Sequence, residues 1–336
     1  MKSIEEKITL PGVPSLPGLT FRRFRGESDY PSMAALIAAG KAVDGVERST
    51  SVEDIAATYR HLENCDPAQD MLFAEADGQM IAYGRVFWTR ELDGTRIYHI
   101  FGFLHPQWRH QGIGTAMWKA GEERVMQIAA GHPKDGPRLF QCEPFESEKD
   151  VIALMESLGY RPARYETHMV RDLDEPFPAA PMPEGLEVRP VREEDLWPIF
   201  HASNEAFRDH WGAYDESEEE FKAFMEGPRF RPELWKVAWD GSQMAGAVHN
   251  FVDEEENKEY QRKRGYTEGI CTRRPWRYKG LARSLLVQSM QMFKAMGMTE
   301  TALSVDSENL SGALRLYEGV GYRKVRQQII YRKPLE

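Results

Sequence analysis

Arg277-Tyr278-Lys279-Gly280-Leu281-Ala282-Arg283 is the segment of this chain best suited to hold an anion. A β-prone run, Tyr266 to Thr272, leads into it. A helix follows, with Leu281, Leu285, Leu286 and Phe293 at helical spacing. The N–H groups of a first helical turn lack intrahelical acceptors and lie at the positive end of the helix dipole, so such a passage binds phosphate oxygens. Gly280 lets a ligand approach the backbone, and two linked phosphates would suit the nest. Arg109-His110-Gln111-Gly112-Ile113-Gly114-Thr115 repeats the pattern, with Trp108-Arg109-x-x-Gly112 matching Trp276-Arg277-x-x-Gly280 at an offset of 168 (280 − 112).

Downstream of the second turn, Thr301 to Val305 reads as a short buried strand, and Asp306-Ser307-Glu308-Asn309 supplies turn chemistry with Asn309 as helix cap. Leu310 to Val320 is expected to be a helix that turns Ala313, Leu314, Leu316, Tyr317 and Val320 to the core and ends at Gly321. The order R-x-x-G-x-A, strand, N-x-x-x-A-L-x-L-Y-E-x-x-G-Y resembles the acetyl-coenzyme-A core of the GCN5-related N-acetyltransferase (GNAT) family.

The resemblance implies an acyl transfer in which an amine attacks a thioester directly and coenzyme A leaves as a thiolate. That chemistry asks for a pyrophosphate cradle, a donor to the oxyanion, a base for the ammonium and an acid for the sulfur. By resemblance the cradle is Arg277 to Arg283, acting through backbone amides, and Ile270-Cys271-Thr272 runs beside the pantetheine arm. Tyr317 falls where the family carries its thiolate-protonating tyrosine, and Asn309 would touch the pantetheine. Cys271 reads as a small buried hydrophobe, because the family needs no covalent intermediate. Glu268 is the candidate base, on the face of its strand that Ile270 shares by alternation; a solvated carboxylate explains it equally well, and His249 and Asn250 are alternatives. The acid run Asp253-Glu254-Glu255-Glu256 reads as a solvated face.

The elements that must position these residues occur twice. Strand, helix, an Asp-Gly hairpin, strand, glycine turn and helix recur, with hairpins around Asp77-Gly78 and Asp240-Gly241. Leu158-Gly159-Tyr160 matches Val320-Gly321-Tyr322 at an offset of 162 (321 − 159). Four prolines lie within 172–185, a composition that behaves as a semi-rigid tether. The expected fold is α/β (α+β), two tandem GNAT-like domains over 1–171 and 186–336, each a mixed, mostly antiparallel sheet flanked by helices. The tandem arrangement is similar to that of mycothiol synthase and its relatives in the family. At the 162-residue offset Met155 stands for Tyr317 and Ser147 for Asn309. The N-terminal half therefore lacks the acid while keeping a turn that would hold coenzyme A, and the C-terminal half is expected to catalyse.

Composition bounds the partners. Forty-three basic against fifty-three acidic residues give a net charge of −10, which disfavours nonspecific binding to nucleic acid or anionic membranes. Three scattered cysteines, Cys65, Cys142 and Cys271, form neither a disulfide framework nor a zinc set, and no apolar leader or membrane-length stretch occurs, so a cytoplasmic protein is expected. The expected activity is an acetyl-coenzyme-A-dependent N-acetyltransferase acting on a small-molecule or peptide amine, without metal, as monomer or homodimer. The rival is a non-catalytic acetyl-coenzyme-A sensor or interaction module, since a fold does not guarantee a function.

Overall fold

The computed structural model describes residues 8–13, 15–47, 50–227, 229–309 and 312–336. The first half runs β1 (Leu19–Arg22), α1 (Tyr30–Asp44), α2 (Val52–Arg60), α3 (Pro67–Asp70), β2 (Met71–Ala76), β3 (Gln79–Arg90), β4 (Arg96–Leu104), α4 (Ile113–Ala130), β5 (Arg138–Cys142), α5 (Lys149–Ser157) and β6 (Arg161–Asp172). The second runs β7 (Glu187–Arg189), α6 (Leu196–Phe207), α7 (Glu218–Glu226), β8 (Lys236–Asp240), β9 (Gln243–Phe251), α8 (Glu254–Glu259), β10 (Arg264–Thr272), α9 (Leu281–Ala295), β11 (Glu300–Asp306), α10 (Ala313–Gly319) and β12 (Arg323–Pro334). Local chemistry sets many of these limits. Ser51 and Ser217 each accept the N–H of the third helical residue, whose carboxylate accepts the cap's own N–H, so α2 and α7 both open on a reciprocal cap.

The described residues form two compact units, one of residues up to Ala163 plus Ile329–Glu336, the other Arg164–Gln328. In the first unit β1, β2, β3 and β4 pair in antiparallel order, β4 pairs with β5 in parallel, and the end of β12 closes the sheet antiparallel to β5. In the second, β7, β8, β9 and β10 are antiparallel, β10 pairs with β11 in parallel, and β6 lies antiparallel to β11. Each sheet thus takes its sixth strand from the distant half of the sequence. The division therefore falls at Ala163/Arg164 and Gln328/Ile329, and not in the proline-rich stretch 172–185. That stretch is no free tether either. Leu173 is buried in the second unit's core, Phe177, Ala180 and Met182 pack on that core, and the buried Arg171 donates to the carbonyls of Asp172, Pro176 and Val320.

Both sheets are covered on two faces. In the first unit α4 and α5 bury Val86, Tyr98, Trp118, Val125, Phe140, Met155 and Tyr160, and α1 and α2 cover Met71, Phe73 and Tyr83 on the other side. In the second unit α9 and α10 pack Leu281, Leu285, Met290, Phe293 and Tyr317 on Val248, Leu303 and Val305. Its opposite face carries α6 through Ile199, Ala202 and Ala206, against Trp235, Val237, Ala247 and Cys271. Burial of such side chains is the main source of stability here.

Candidate active site

The two glycine turns have one geometry. His110 (φ 60°) and Gly112 (φ 83°) match Tyr278 (φ 61°) and Gly280 (φ 84°), two left-handed residues spaced by one in each case. Gly112 caps α4 and Gly280 caps α9, and the first intrahelical bonds are donated by Ala116 to Gly112 and by Ser284 to Gly280. The N–H groups of Gly280, Leu281, Ala282 and Arg283, and those of Gly112, Ile113, Gly114 and Thr115, precede those bonds, the arrangement that in general makes a nest for anions. A Cβ built on Gly280 would meet nothing within 4 Å, so the space over the turn is open to a phosphate. Tyr278 is almost fully exposed, at 92%.

The leading arginine of each turn does not reach into the nest. Arg277 donates to the Thr272 carbonyl (2.9 Å), the Ala206 carbonyl (3.0 Å) and Asp209 (2.6 Å), which ties the turn to α6. Arg109 donates to both carboxylate oxygens of Asp44, at 2.5 and 2.7 Å, which ties its turn to α1. The backbone amides of each turn therefore carry no side-chain guanidinium over them.

Beyond the turn the second sheet opens. The parallel ladder between β10 and β11 runs from Arg264–Glu300 to Tyr266–Ala302 and stops, leaving Glu268 to Thr272 along a cleft edge. Here β10 carries a bulge: Glu268 pairs with His249 and Cys271 with Ala247, so Gly269 and Ile270 together oppose Val248. Gly269 adopts φ +56°, and a Cβ on it would lie 2.6 Å from His249 Nδ1, so glycine is required. The extra residue corrects the alternation expected from sequence. Ile270 packs into the α9 core, whereas Glu268 lies beside His249 on the opposite face.

Glu268 is half-buried, and burial, with the nearby Glu166 carboxylate second, raises its pKa from 4.5 to about 8. The Ser304 N–H and hydroxyl and the Arg229 cation act in the other direction. Tyr317 is 5% exposed in α10. Its phenol is held well above the ordinary value, by burial first and then by Glu268, Tyr322 and Cys271, so it stays protonated at neutral pH. Tyr322 below it is fixed by hydrogen bonds with Thr267 (2.7 Å) and Thr301 (2.9 Å). Glu268 and Cys271 thus lie near enough to Tyr317 to act on its phenol, on the strand that leads to the second nest.

Other expected residues stand elsewhere. Asn309 does not cap α10. Its N–H donates to Asp306 and its carbonyl accepts from Gly312, which is the cap, so the helix begins at Ala313, later than the sequence suggested. Leu310 and Ser311, expected inside that helix, lie outside the described residues. Asn250 is fully buried and donates to the Leu234 carbonyl and Ser289, on the α9 face away from Glu268, which removes it as a base. His249 stacks on Trp235 with centroids 4.2 Å apart, and burial lowers its pKa to about 4. Burial lifts the Cys271 thiol to about 11, consistent with a packing residue. Ser304 and Glu166 escaped sequence reasoning. The glycine inside the β10 run could have announced the bulge, but nothing in the text announces that β6 delivers Glu166 to this unit.

The first unit repeats the frame with other side chains at the matched positions. The C-terminal turn of α5 matches that of α10 bond for bond: Leu158 to Leu154 and Met155, Gly159 to Glu156, Tyr160 to Met155, against Val320 to Leu316 and Tyr317, Gly321 to Glu318, Tyr322 to Tyr317. Met155, fully buried, therefore occupies the Tyr317 position. β3 and β4 pair without a bulge from Ala82–Leu104 to Arg90–Arg96, so Phe101, opposite Arg85, stands where Glu268 stands opposite His249.

No helix among the described residues is long and apolar enough to cross a membrane. The Acetyltransferase (GNAT) family matches the chain over residues 42–160 and 196–322, one match in each half. Mycothiol acetyltransferase from Salinispora arenicola is 26% identical over 80% of this chain and 82% of its own length. The Thermomonospora curvata protein of the same name is 26% identical over 84% and 81%. Among solved structures, a GCN5-related N-acetyltransferase from Sphaerobacter thermophilus superposes with a TM-score of 0.71 at 29% identity, covering 96% of both chains. A tandem GNAT protein from the clavulanic acid biosynthesis pathway superposes at 0.66 and 13% identity, covering 94% of this chain and 98% of that one, a likeness of fold. Two matched stretches, each spanning a glycine nest and a splayed sheet, make this chain a member of the GNAT acetyltransferase family and an N-acetyltransferase.

Proposed function

We propose that the second unit transfers an acetyl group from acetyl-coenzyme A to a primary amine by direct attack of the amine on the thioester, and that the first unit binds coenzyme A without turnover. One observation carries the assignment to the second unit. Only there, of the two matched frames, do a carboxylate and a bulged strand edge accompany a buried phenol that the carboxylate acts on.

The amides of Gly280 to Arg283 would take the pyrophosphate, with Arg277 holding the turn in place. The edge of Ile270, Cys271 and Thr272, released from β11, offers backbone groups along the pantetheine arm. Glu268, raised to about 8, accepts a proton from the incoming ammonium in its ionised form, whose share grows as pH rises toward 8. Tyr317, kept as O–H, donates toward the sulfur as the carbon–sulfur bond breaks. The relatives' name puts the mycothiol acceptor at the head of an amine panel.

The test follows coenzyme A release with that panel, for the native chain and Tyr317→Phe. Release far above hydrolysis with one amine, and its collapse in the variant, is expected. Equal turnover by both proteins removes Tyr317 as the acid. Release no faster than hydrolysis with every amine, despite acetyl-coenzyme A binding, returns the protein to the sensor reading.

A further inference from the structure

Several buried and half-buried arginines of the first unit are paired with carboxylates. Arg22 is paired with Asp29 and Glu75, Arg96 with Asp135, Arg109 with Asp44, and Arg332 with Glu91. Arg85 on β3 has no carboxylate. Its Nε and Nη1 are buried and have no hydrogen-bond acceptor among the described residues, and the Tyr59 hydroxyl, which interacts with Arg85, is buried beside it. The guanidinium instead lies over three rings, at 4.8 Å from the Phe101 centroid, 5.1 Å from Tyr59 and 5.4 Å from Phe87. Ring faces soften the cost of a buried cation without supplying an acceptor for its N–H groups. A protein keeps such an arrangement most readily where an anion arrives from outside.

The place for it is adjacent. Arg85, Phe101, Tyr83, Phe103, Leu36 and Ile37 line a cavity of about 540 Å³, within the size range of small-molecule sites. We propose that this cavity receives a small organic acid with an apolar body, whose carboxylate is bound by Arg85 and the Tyr59 hydroxyl. Two features favour a monocarboxylate over a phosphate. His99, which feels Arg85, is held at about 4 by burial first, then by Arg332 and Arg85, so it is neutral and adds no second charge beside Arg85. Burial pushes the Tyr59 phenol up to about 12, so it remains a donor. Planar guanidinium N–H groups with a neutral phenol match one carboxylate, and the aromatic and aliphatic walls match its hydrocarbon part.

The register adds meaning to the position. Arg85 is the counterpart of His249, and Phe101 the counterpart of Glu268, so the first unit has exchanged a candidate base and its neighbour for a cation and its aromatic platform. The same cavity extends to His110, Gly112, Gly114 and Thr115 of the first nest, so acid and nest ligand would share one space. The inference does not depend on which unit catalyses.

Calorimetry and thermal shift on the full chain test it, with benzoate, phenylacetate and hexanoate as probes, benzamide as the neutral match and inorganic phosphate as the rival anion. At least one carboxylate should bind saturably at one site per chain and raise Tm, whereas benzamide should not. Arg85→Met should weaken that carboxylate about 100-fold and leave the ligand-free Tm unchanged or higher, because an unpaired buried charge is removed. Tyr59→Phe, which conserves the ring, should weaken it about fivefold and keeps the test valid if Arg85→Met does not fold. Failure of all three acids to bind the native chain overturns the proposal. So does equal binding by native and Arg85→Met proteins, or phosphate outcompeting the acids at Arg85.

Discussion

The two units share a frame to the level of single hydrogen bonds, and differ at Glu268, Tyr317 and their counterparts Phe101 and Met155. Both nests combine two left-handed residues with an arginine tied to the first long helix of the half. Both C-terminal turns, after α5 and after α10, close with the same four bonds and a left-handed glycine, Gly159 or Gly321. Between these matching ends, one chain edge is bulged at Gly269–Ile270 and the other is regular through Gly102. One cleft presents Glu268 and Tyr317, the other Phe101 and Met155. Binding geometry is thus separable from catalytic geometry: a helix N-terminus needs only backbone, while proton transfer needs particular side chains at an edge freed from its neighbour.

The sharpest way to break the comparison is to exchange the residues at the matched helical position. Tyr317→Phe should lower kcat for amine acetylation by about 10²- to 10⁴-fold, the range general acid catalysis supplies, with little change in acetyl-coenzyme A affinity. Met155→Tyr should restore nothing to the first unit, because Phe101 offers no base there. Activity from Met155→Tyr in a Tyr317→Phe background would show that the frame alone suffices.

Glu268→Gln should reduce kcat about 100-fold and abolish the rise of rate with pH that a group titrating near 8 imposes on the native chain. Stability gives an independent reading. A carboxyl raised from 4.5 to about 8 in the folded state binds more protons there than when unfolded. Its contribution is therefore full below about pH 4.5 and is lost as pH rises toward 8. The Tm of Glu268→Gln relative to native should accordingly be higher at pH 9 than at pH 5, and an identical offset at both would remove the shift.

Site counting sharpens the parallel between nests. The native chain should bind two acetyl-coenzyme A molecules by calorimetry. Gly280→Glu and Gly112→Glu should each lose one site, with affinity there down by about 100-fold, because the carboxylate repels the phosphates and φ near +84° strains any side chain. Turnover should fall only with Gly280→Glu. The smallest effect concerns the anchors. Asp44→Asn removes a half-buried bidentate partner of Arg109 and should cost about 1–2 kcal/mol in chemical denaturation. Asp209→Asn, at a more exposed pair with Arg274 and Arg277, should cost under about 1 kcal/mol.

Much of this frame could be read from the text, because its signals are local. The nests follow from arginine and glycine spacing, and the Tyr317–Met155 difference follows from two glycines that end two helices. The bulge hid behind strand alternation, although Gly269 marked it, so Ile270 was expected on the face of Glu268. Asn309 looked like a cap because asparagine often is one, but Gly312 takes that place. The source of each sixth strand, the approach of Glu166 and Ser304 to Glu268, and the unpaired charge of Arg85 depend on residues far apart in the chain. No window of sequence contains them.

The sixth strands also set an order of assembly. The first unit contains residues from both ends of the described chain, since it includes Ile329–Glu336 and Tyr331–Pro334 pair with β5. During synthesis its sheet must wait, with β5 as an open edge, while the whole second half leaves the ribosome. A protein stopped before Ile329 would have every residue of both nests and of the candidate active site, yet an unfinished first sheet.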